Sequence, residues 1–222
     1  ELYQGGVSAS GTLTNNDPTL RPEQSWTTEL SAERDLDGEG LLRLTAFFER
    51  TRDALYSQTN VTVSPVVTNI QNVDRIRTQG LELALQRANV FLRGIDLSSS
   101  LTWTDSRIVK NDKFPASVGK WQPRVAPWRA SALATWRPDA QWSLSLGARY
   151  SGRQYSTLDN SDPNGFAFQG ASRYFTTDLR ARWQASRQLS LAVGIDNLNN
   201  ATYWNFHPYP QRSLHAELKV DL

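Results

Sequence analysis

Few side chains in this sequence are spaced for catalysis or for metal binding. The chain has two histidines, His207 and His215, and no cysteine. No serine, histidine and aspartate are spaced as a hydrolase requires, and only His207 could pair with a nucleophile on a neighbouring strand. Asp159, Asp162 and Asn164 could hold calcium through carboxylate and amide oxygens, but residues 159–165 are more simply a turn. We therefore predict no enzyme, no metal site and no cofactor.

Two other segments concentrate side chains that commonly contact ligands. The densest aromatic cluster lies near the C-terminus and comprises Tyr203, Trp204, Phe206, His207 and Tyr209. A basic, aromatic-flanked segment in the middle of the chain comprises Lys110, Lys113, Lys120, Trp121 and Arg124. The first cluster could bind a ligand or stiffen a loop. The second could bind an anion or be an ordinary solvated loop.

The elements that must position these segments are β-strands. Residues 213–222 place Leu214, Ala216, Leu218, Val220 and Leu222 on one face and polar or charged residues on the other. This period of two is typical of a strand with one apolar face. Nine such segments follow one another along the chain, and their apolar faces carry no charged residue. The sequence therefore predicts an all-β, antiparallel protein.

Three features favour a transmembrane barrel over a soluble all-β protein. Aromatic residues recur at both ends of the apolar faces: Trp128 and Trp136, Trp142 and Tyr150, Phe175 and Trp183. A tilted strand of eight residues projects to roughly 20 Å, which suits two interfacial girdles around a lipid band. The positions between are mainly Ala, Leu and Thr, and short turns alternate with long loops. The apolar faces are therefore predicted to meet lipid.

The loop lengths predict which end of each strand faces the cell exterior. Short turns, expected on the periplasmic side, are residues 35–39, 89–93, 137–140 and 185–188. Long loops, expected on the extracellular side, are residues 55–65, 105–123, 152–170 and 203–210, preceded by an irregular extracellular loop over residues 1–22. Residues 23–222 then hold the strands and their connections. An odd number of strands predicts the last part of a larger barrel, and the absence of an initial Met predicts a processed or excised piece.

Charge and hydropathy exclude other classes. The 222 residues carry a formal net charge of +2, and their basic residues are scattered, so we expect no nucleic-acid partner. No apolar run reaches the roughly 18 residues of a transmembrane helix. The remaining candidates are a membrane barrel and a soluble all-β binding protein.

The chain also resembles the TonB-dependent outer-membrane receptors in four motifs that occur in the family's order. Residues 16–25, Asn-Asp-Pro-Thr-Leu-Arg-Pro-Glu-Gln-Ser, resemble the family's Asn-Pro-x-Leu-x-Pro-Glu-x-Ser signature with an added Asp. Residues 80–82 resemble its Gly-x-Glu motif, and residues 196–203 its Asn-Leu-x-Asp-x-x-Tyr segment. Residues 210–212 resemble the Pro-x-Arg opening of its final strand. One departure is Leu222, where the family usually has Phe or Trp.

The resemblance implies the last nine strands of a 22-stranded barrel in the outer membrane of a Gram-negative bacterium. It implies active import of a scarce ligand, most simply a ferric siderophore, by a receptor with a plug domain and a TonB energy-coupling complex as partners. The plug would precede this chain. A passive porin-type channel and a soluble all-β binding protein are the alternatives.

Ligand-contacting residues are then expected in the extracellular loops. The candidates are Trp121, Arg124, Tyr155, Trp204, Phe206, His207 and Tyr209. Because a loop histidine can bind haem, His207 leaves haem as a candidate ligand. Arg149, Arg180 and Arg182 are expected to face the lumen, toward the plug or ligand.

Overall fold

The fold is an open antiparallel sheet. The computed structural model describes residues 6–7, 11, 13–60, 63–162 and 170–221. Asn164 and Leu222, both named above, lie outside these residues. In chain order the strands are β1 Gly6–Val7, β2 Leu13–Asn16, β3 Gln24–Asp35, β4 Gly40–Asn60, β5 Val67–Arg87, β6 Ile95–Lys110, β7 Trp128–Trp136, β8 Trp142–Ser151, β9 Tyr174–Gln184, β10 Leu189–Asp196, β11 Trp204–Asn205, β12 His207–Pro208 and β13 Ser213–Val220. The described residues include a single 3₁₀ turn, Pro115–Ser117, and no helix long and apolar enough to cross a membrane.

Nine long strands form the body of the sheet, as the alternation predicts. Strands β3 to β10 each pair with the next in antiparallel fashion, and β13 pairs with β10. Strands β11 and β12 form a separate two-stranded sheet. The connections at one end are short, because the hairpins after β3, β7 and β9 span only a few residues.

The register aligns the predicted apolar faces on one side of the sheet. One cross-strand row joins six strands in the order Leu97, Ala134, Leu146, Leu179, Ile195 and Leu214. These side chains are not covered by protein, since Leu146 is 51% exposed and Leu214 is 77% exposed. At the end of this face that is predicted to be periplasmic, the rings of Trp142 and Trp183 stack with centroids 6.0 Å apart. A continuous exposed apolar face of this size indicates contact with lipid or another apolar surface.

The buried core lies elsewhere, at the end of the sheet that is predicted to be extracellular. Ala54, Val73, Ile76, Ile108 and Leu158 form a buried cluster, with Tyr56 and Phe114 packed against it. Its members come from the upper parts of β4, β5 and β6 and from the loop after β8. The core therefore fixes the extracellular loops on the strands that carry them.

Two predicted loops are shorter than the sequence suggests. Strand β4 continues to Asn60, inside the predicted loop of residues 55–65, because its upper residues pair with β5 as far as Val67. Strand β6 likewise continues to Lys110, inside the predicted loop of residues 105–123. The hydrogen-bonded ladder and the inward-facing cluster stabilise these extensions, although their polar outward residues look loop-like in sequence.

The predicted irregular loop over residues 1–22 also contains strand structure. Leu13–Asn16 forms β2, which pairs in parallel with residues 67–70 of β5. Strand β6 ends opposite Arg75, so this part of β5 would otherwise present unpaired backbone groups. Pairing with β2 satisfies them.

Candidate functional site

A cavity of about 450 Å³ opens among the extracellular loops. Its walls include Tyr56 and Gln58 from β4, Pro123 and Arg124 from the loop after β6, Ser156 from the loop after β8, and Phe206 from the β11–β12 hairpin. Four segments that are distant in sequence therefore meet here. The lining combines a cation, two aromatic rings and hydrogen-bonding side chains.

Backbone turns hold Arg124 and Phe206 in place. Arg124 has φ +63° and donates its N–H to the carbonyl of Tyr155 at 2.8 Å. Phe206 has φ +70° and donates its N–H to the carbonyl of Gly170 at 2.8 Å. The guanidinium of Arg124 lies 5.8 Å from the centroid of the Phe206 ring, within cation–π range. Positive φ at two bulky residues is unusual and marks a conformation imposed by the surrounding loops.

Tyr56 contributes a neutral phenol to the cavity wall. Burial raises the pKa of Tyr56 from 10.0 to about 12, and its hydrogen bond with Gln122 and the nearby charge of Arg124 only partly oppose this shift. Gln122 also accepts a hydrogen bond from the hydroxyl of Ser106. At neutral pH the phenol is therefore protonated and can donate a hydrogen bond to an oxygen-rich ligand.

A second extracellular cavity, of about 800 Å³, is lined mainly by polar side chains. Its lining includes Asn15, Asp17, Gln58, Asn69, Lys113 and Asp159. Lys113 forms an ion pair with Asp17. Burial acts to raise the pKa of Asp159, but hydrogen bonds from the backbone and hydroxyl of Ser161 and from Thr157 outweigh it, so the pKa is lowered. Asp159 is therefore ionised at neutral pH, but its Oδ1 already accepts hydrogen bonds from Ser161 within a local turn.

Asp159 and Asp162, the two described members of the candidate calcium set, use carboxylate oxygens in local hydrogen bonds. Asp159 Oδ1 accepts hydrogen bonds from the N–H and hydroxyl of Ser161 at 3.1 and 2.8 Å. Asp162 Oδ1 accepts one from the N–H of Ser156 at 3.1 Å. Among the residues that the structure describes, no three His, Asp or Glu side chains are grouped as metal ligands.

The structure places Trp121 and Tyr155 outside the cavity lining. Trp121 lies on the outward side, where its ring centroid is 3.4 Å from the guanidinium carbon of Arg107. Its backbone is held by Asn160, whose Oδ1 accepts the Trp121 N–H at 2.8 Å. Tyr155 supplies the carbonyl that positions Arg124, while its ring lies 4.7 Å from the guanidinium of Arg153.

The remaining predicted aromatic residues divide between two clusters. His207 packs edge-on against Phe206 with ring centroids 4.8 Å apart. The backbone N–H of Trp204 donates a hydrogen bond to the hydroxyl of Ser172 at 3.0 Å. Tyr209 instead stacks on Tyr203 at 4.8 Å. Tyr203 stacks in turn on Tyr174 at 4.4 Å, and burial raises its pKa.

The three arginines predicted to face the lumen lie on the face opposite the exposed apolar one. Arg149 pairs with Asp178 at 3.0 Å on the neighbouring strand. Arg182 donates to Gln184 at 2.9 Å. Arg180 lies across from Ser145 and Gly194, and no described carboxylate forms an ion pair with it. This inward face thus carries Arg180 and Arg182 beside the Arg149–Asp178 ion pair.

Sequence reasoning did not identify Tyr56 and Gln58 as site residues, because it placed both in a loop. Residues 54–59 show no clean apolar–polar alternation, since Leu55 and Tyr56 are adjacent and Gln58 and Thr59 are both polar. Partner strands, not propensity, decide such an extension.

Comparison with known proteins identifies the family. The sequence model described as "TonB dependent receptor-like, beta-barrel" matches residues 1–198. No curated protein matches the chain significantly in sequence.

Solved structures share the fold at low sequence identity. A variant of the ferric enterobactin receptor PfeA from Pseudomonas aeruginosa aligns with TM-score 0.66 and 19% identity over 93% of this chain and 32% of its own. The siderophore receptor PiuA from Acinetobacter baumannii aligns with TM-score 0.66 and 24% identity over 96% and 30%. The copper transporter OprC aligns with TM-score 0.68 and 15% identity over 92% and 32%. The chain thus spans about a third of the length of these proteins.

The exposed apolar face is accordingly the lipid face of a barrel wall. The family consists of transporters rather than enzymes, located in the outer membrane of Gram-negative bacteria. The chain belongs to the TonB-dependent receptors and forms part of their outer-membrane β-barrel.

Proposed function

We propose that this chain is part of a receptor that actively imports a ferric siderophore. The observation that carries the proposal is the extracellular cavity in which Arg124 lies over Phe206 beside Tyr56. Ferric siderophores are commonly anionic and oxygen-rich, so a cation, a phenol donor and aromatic faces complement them. The similarity to siderophore receptors supports the same class of ligand.

The proposed partners are those that the family implies. A plug domain would fill the lumen and meet the inward face that carries Arg149, Arg180 and Arg182. The TonB complex of the inner membrane would supply energy through the plug. Import should therefore stop when TonB is deleted, whereas a passive porin-type channel would continue to admit its solute.

The test uses the complete receptor in an iron-starved strain that lacks its other siderophore receptors. Growth with individual siderophores identifies the ligand, and the affinity for that ligand is then measured for Arg124→Ala. Loss of a charged hydrogen-bonding partner should weaken binding by about tenfold to a hundredfold.

Arg93→Ala is the matched control, because Arg93 is an exposed arginine in a turn at the opposite rim. It should bind as the unchanged receptor does. If no siderophore restores growth, or if Arg124→Ala binds as tightly as the control, the proposal is wrong.

A further inference from the structure

Rows of cations cross the outward face of the barrel wall above the lipid band. Arg50 of β4 pairs with Arg77 of β5, and Arg77 pairs with Arg107 of β6. Two residues further from the membrane, Arg52 pairs with Arg75, and Arg75 pairs with Lys110. Neighbouring strands are about 4.8 Å apart, so each row places three cations within about 10 Å.

The register fixes the side on which these cations lie. Arg50 follows Phe48 by two residues, Arg77 precedes Leu81 by four, and Arg107 follows Trp103 by four. Phe48, Leu81 and Trp103 belong to the lipid face, and no register shift intervenes between them and the arginines. Side chains separated by an even number of residues share a face of a regular strand. The three residues of the first row therefore point to the outside of the barrel. In the second row, Arg52 and Arg75 lie two residues from Arg50 and Arg77 and share their face. The register of β6 shifts between the partners of Ile76 and Arg75, and Lys110 is placed on this face by its pairing with Arg75.

The opposite face at the same height is closed by protein. Thr51, Ile76 and Ile108, which are the sequence neighbours of Arg50, Arg77 and Arg107, are buried. Arg50, Arg52, Arg75 and Arg77 are themselves exposed. The cations therefore cannot reach the lumen or a ligand bound there, and what they meet lies outside the barrel.

The positive charge of these rows is only partly balanced. Arg107 pairs with Asp105 at 2.9 Å and Lys110 with Asp112 at 2.5 Å. Within the described ranges, no carboxylate forms an ion pair with Arg50, Arg52, Arg75 or Arg77. Like charges directly across a sheet destabilise it. An anion between the rows would turn this repulsion into attraction.

The height of the rows matches that of lipid headgroups. Two residues advance a strand by roughly 7 Å, so Arg50 lies one short step above Phe48 and the aromatic level that marks the membrane interface. Trp26 pairs with Arg50 at one end of the first row and is 74% exposed. Trp121 packs on Arg107 at the other end. Tryptophans beside arginines are typical of a surface at the interface between lipid tails and headgroups.

We propose that Arg50, Arg52, Arg75 and Arg77, with Arg107 and Lys110, bind the phosphate groups of an anionic lipid in the outer leaflet. The guanidinium groups supply paired N–H donors that match phosphate oxygens. Acyl chains of the same lipid would lie along the apolar face below, beside Phe48 and Leu81. This inference is independent of which ligand the receptor imports.

The experiment compares two double variants of the complete receptor in detergent. Arg50→Gln with Arg77→Gln removes two cations of the first row that have no ion pair among the described residues. Arg93→Gln with Arg187→Gln removes two exposed cations from turns at the opposite rim. Binding of a bisphosphorylated glycolipid is measured by native mass spectrometry, and heat-modifiable migration on gels verifies that each barrel is folded.

The first variant should bind the lipid roughly thirtyfold more weakly, since each basic residue near a membrane surface contributes about fivefold. The control should bind as the unchanged receptor does. Added salt should weaken lipid binding by the unchanged receptor more than lipid binding by the first variant, because the variant has fewer cations whose charge the salt can screen. A dephosphorylated form of the same lipid should bind weakly to all three.

Three results would overturn the proposal. The first is equal binding by the two double variants. The second is equal binding of the phosphorylated and dephosphorylated lipids. The third is displacement of the lipid by inorganic phosphate at matched concentration, which would indicate a site for free phosphate instead of a lipid surface.

Discussion

At the scale of single residues, two glycines on the inward face make room for rings on neighbouring strands. The Phe47 ring occupies the space that a Cβ at Gly80 would need, and the backbone of Trp103 lies on the other side. His215 covers Gly194 in the same way, with its Nδ1 3.5 Å from a carboxylate oxygen of Asp196. An aromatic ring over a cross-strand glycine restores the packing that glycine lacks. The family-like Gly80 is therefore explained by close approach of the Phe47 side chain.

Gly80→Ala should destabilise the barrel, because the added methyl group overlaps the Phe47 ring and backbone and forces both to move. The expected loss is about 1–3 kcal/mol in the free energy of unfolding in urea. Gly147→Ala is the matched control, since its Cβ would meet Asp178 at an ordinary 3.6 Å. Equal stability of the two variants would contradict this account of Gly80.

Tyr56 should make stability depend on pH in the alkaline range. Its pKa rises from 10.0 to about 12 in the folded state, so the folded state holds the proton more tightly than the unfolded chain does. This contribution is complete below pH 10 and is lost as the pH rises from 10 toward 12. The free energy of unfolding should fall more steeply across this window for the unchanged protein than for Tyr56→Phe. Parallel profiles would show that the phenol is not buried as described.

At the scale of the elements, each long strand separates two environments by alternation alone. The row from Leu97 to Leu214 faces lipid, while Arg149, Asp178 and Arg180 face inward. Above the membrane the same alternation separates exposed arginines from the buried Ile76 and Ile108. Along β4 and β5, the outward face therefore meets lipid tails and then, above them, the proposed headgroups. The inward face meets the lumen and then, at the same height as the headgroups, the packed loops.

Leu146→Arg tests the assignment of faces. Leu146 lies at the middle of β8 on the lipid face, and an arginine at that depth should cost about 2–4 kcal/mol in the intact barrel. Ser98→Arg is the control, because Ser98 is exposed on the inward face of β6 and should be nearly neutral. Unfolding in urea from lipid vesicles measures both changes. A neutral Leu146→Arg or a costly Ser98→Arg would reverse the assignment.

At the scale of the whole molecule, the sheet is open in the described part of the chain. Strand β3 pairs there only with β4, and β13 only with β10. Unpaired backbone groups are costly in lipid, so both edges need partner strands. These two edges are where the rest of the barrel is expected to join.

The 222-residue chain refolded alone into detergent should consequently form oligomers or aggregates. The complete receptor, in which both edges find partners, should be monomeric under the same conditions. Size-exclusion chromatography with light scattering distinguishes the two outcomes. A monodisperse monomer of the isolated chain, and above all one without detergent, would argue against the need for further strands.

The sequence by itself determined the nine long strands, their outward faces and the alternation of short turns with long loops. It could do so because the pleat of a strand imposes a period of two that is local in sequence. Only the tertiary structure decided that residues 55–60 extend β4 and that Leu13–Asn16 pairs with β5. It also decided that Arg124, Phe206 and Tyr56 line one cavity. Trp121, by contrast, packs on Arg107 on the outward side. The tertiary structure also decided that scattered arginines align across β4, β5 and β6. These relations depend on hydrogen-bonded register and on the packing of loops far apart in the chain, which no local pattern encodes.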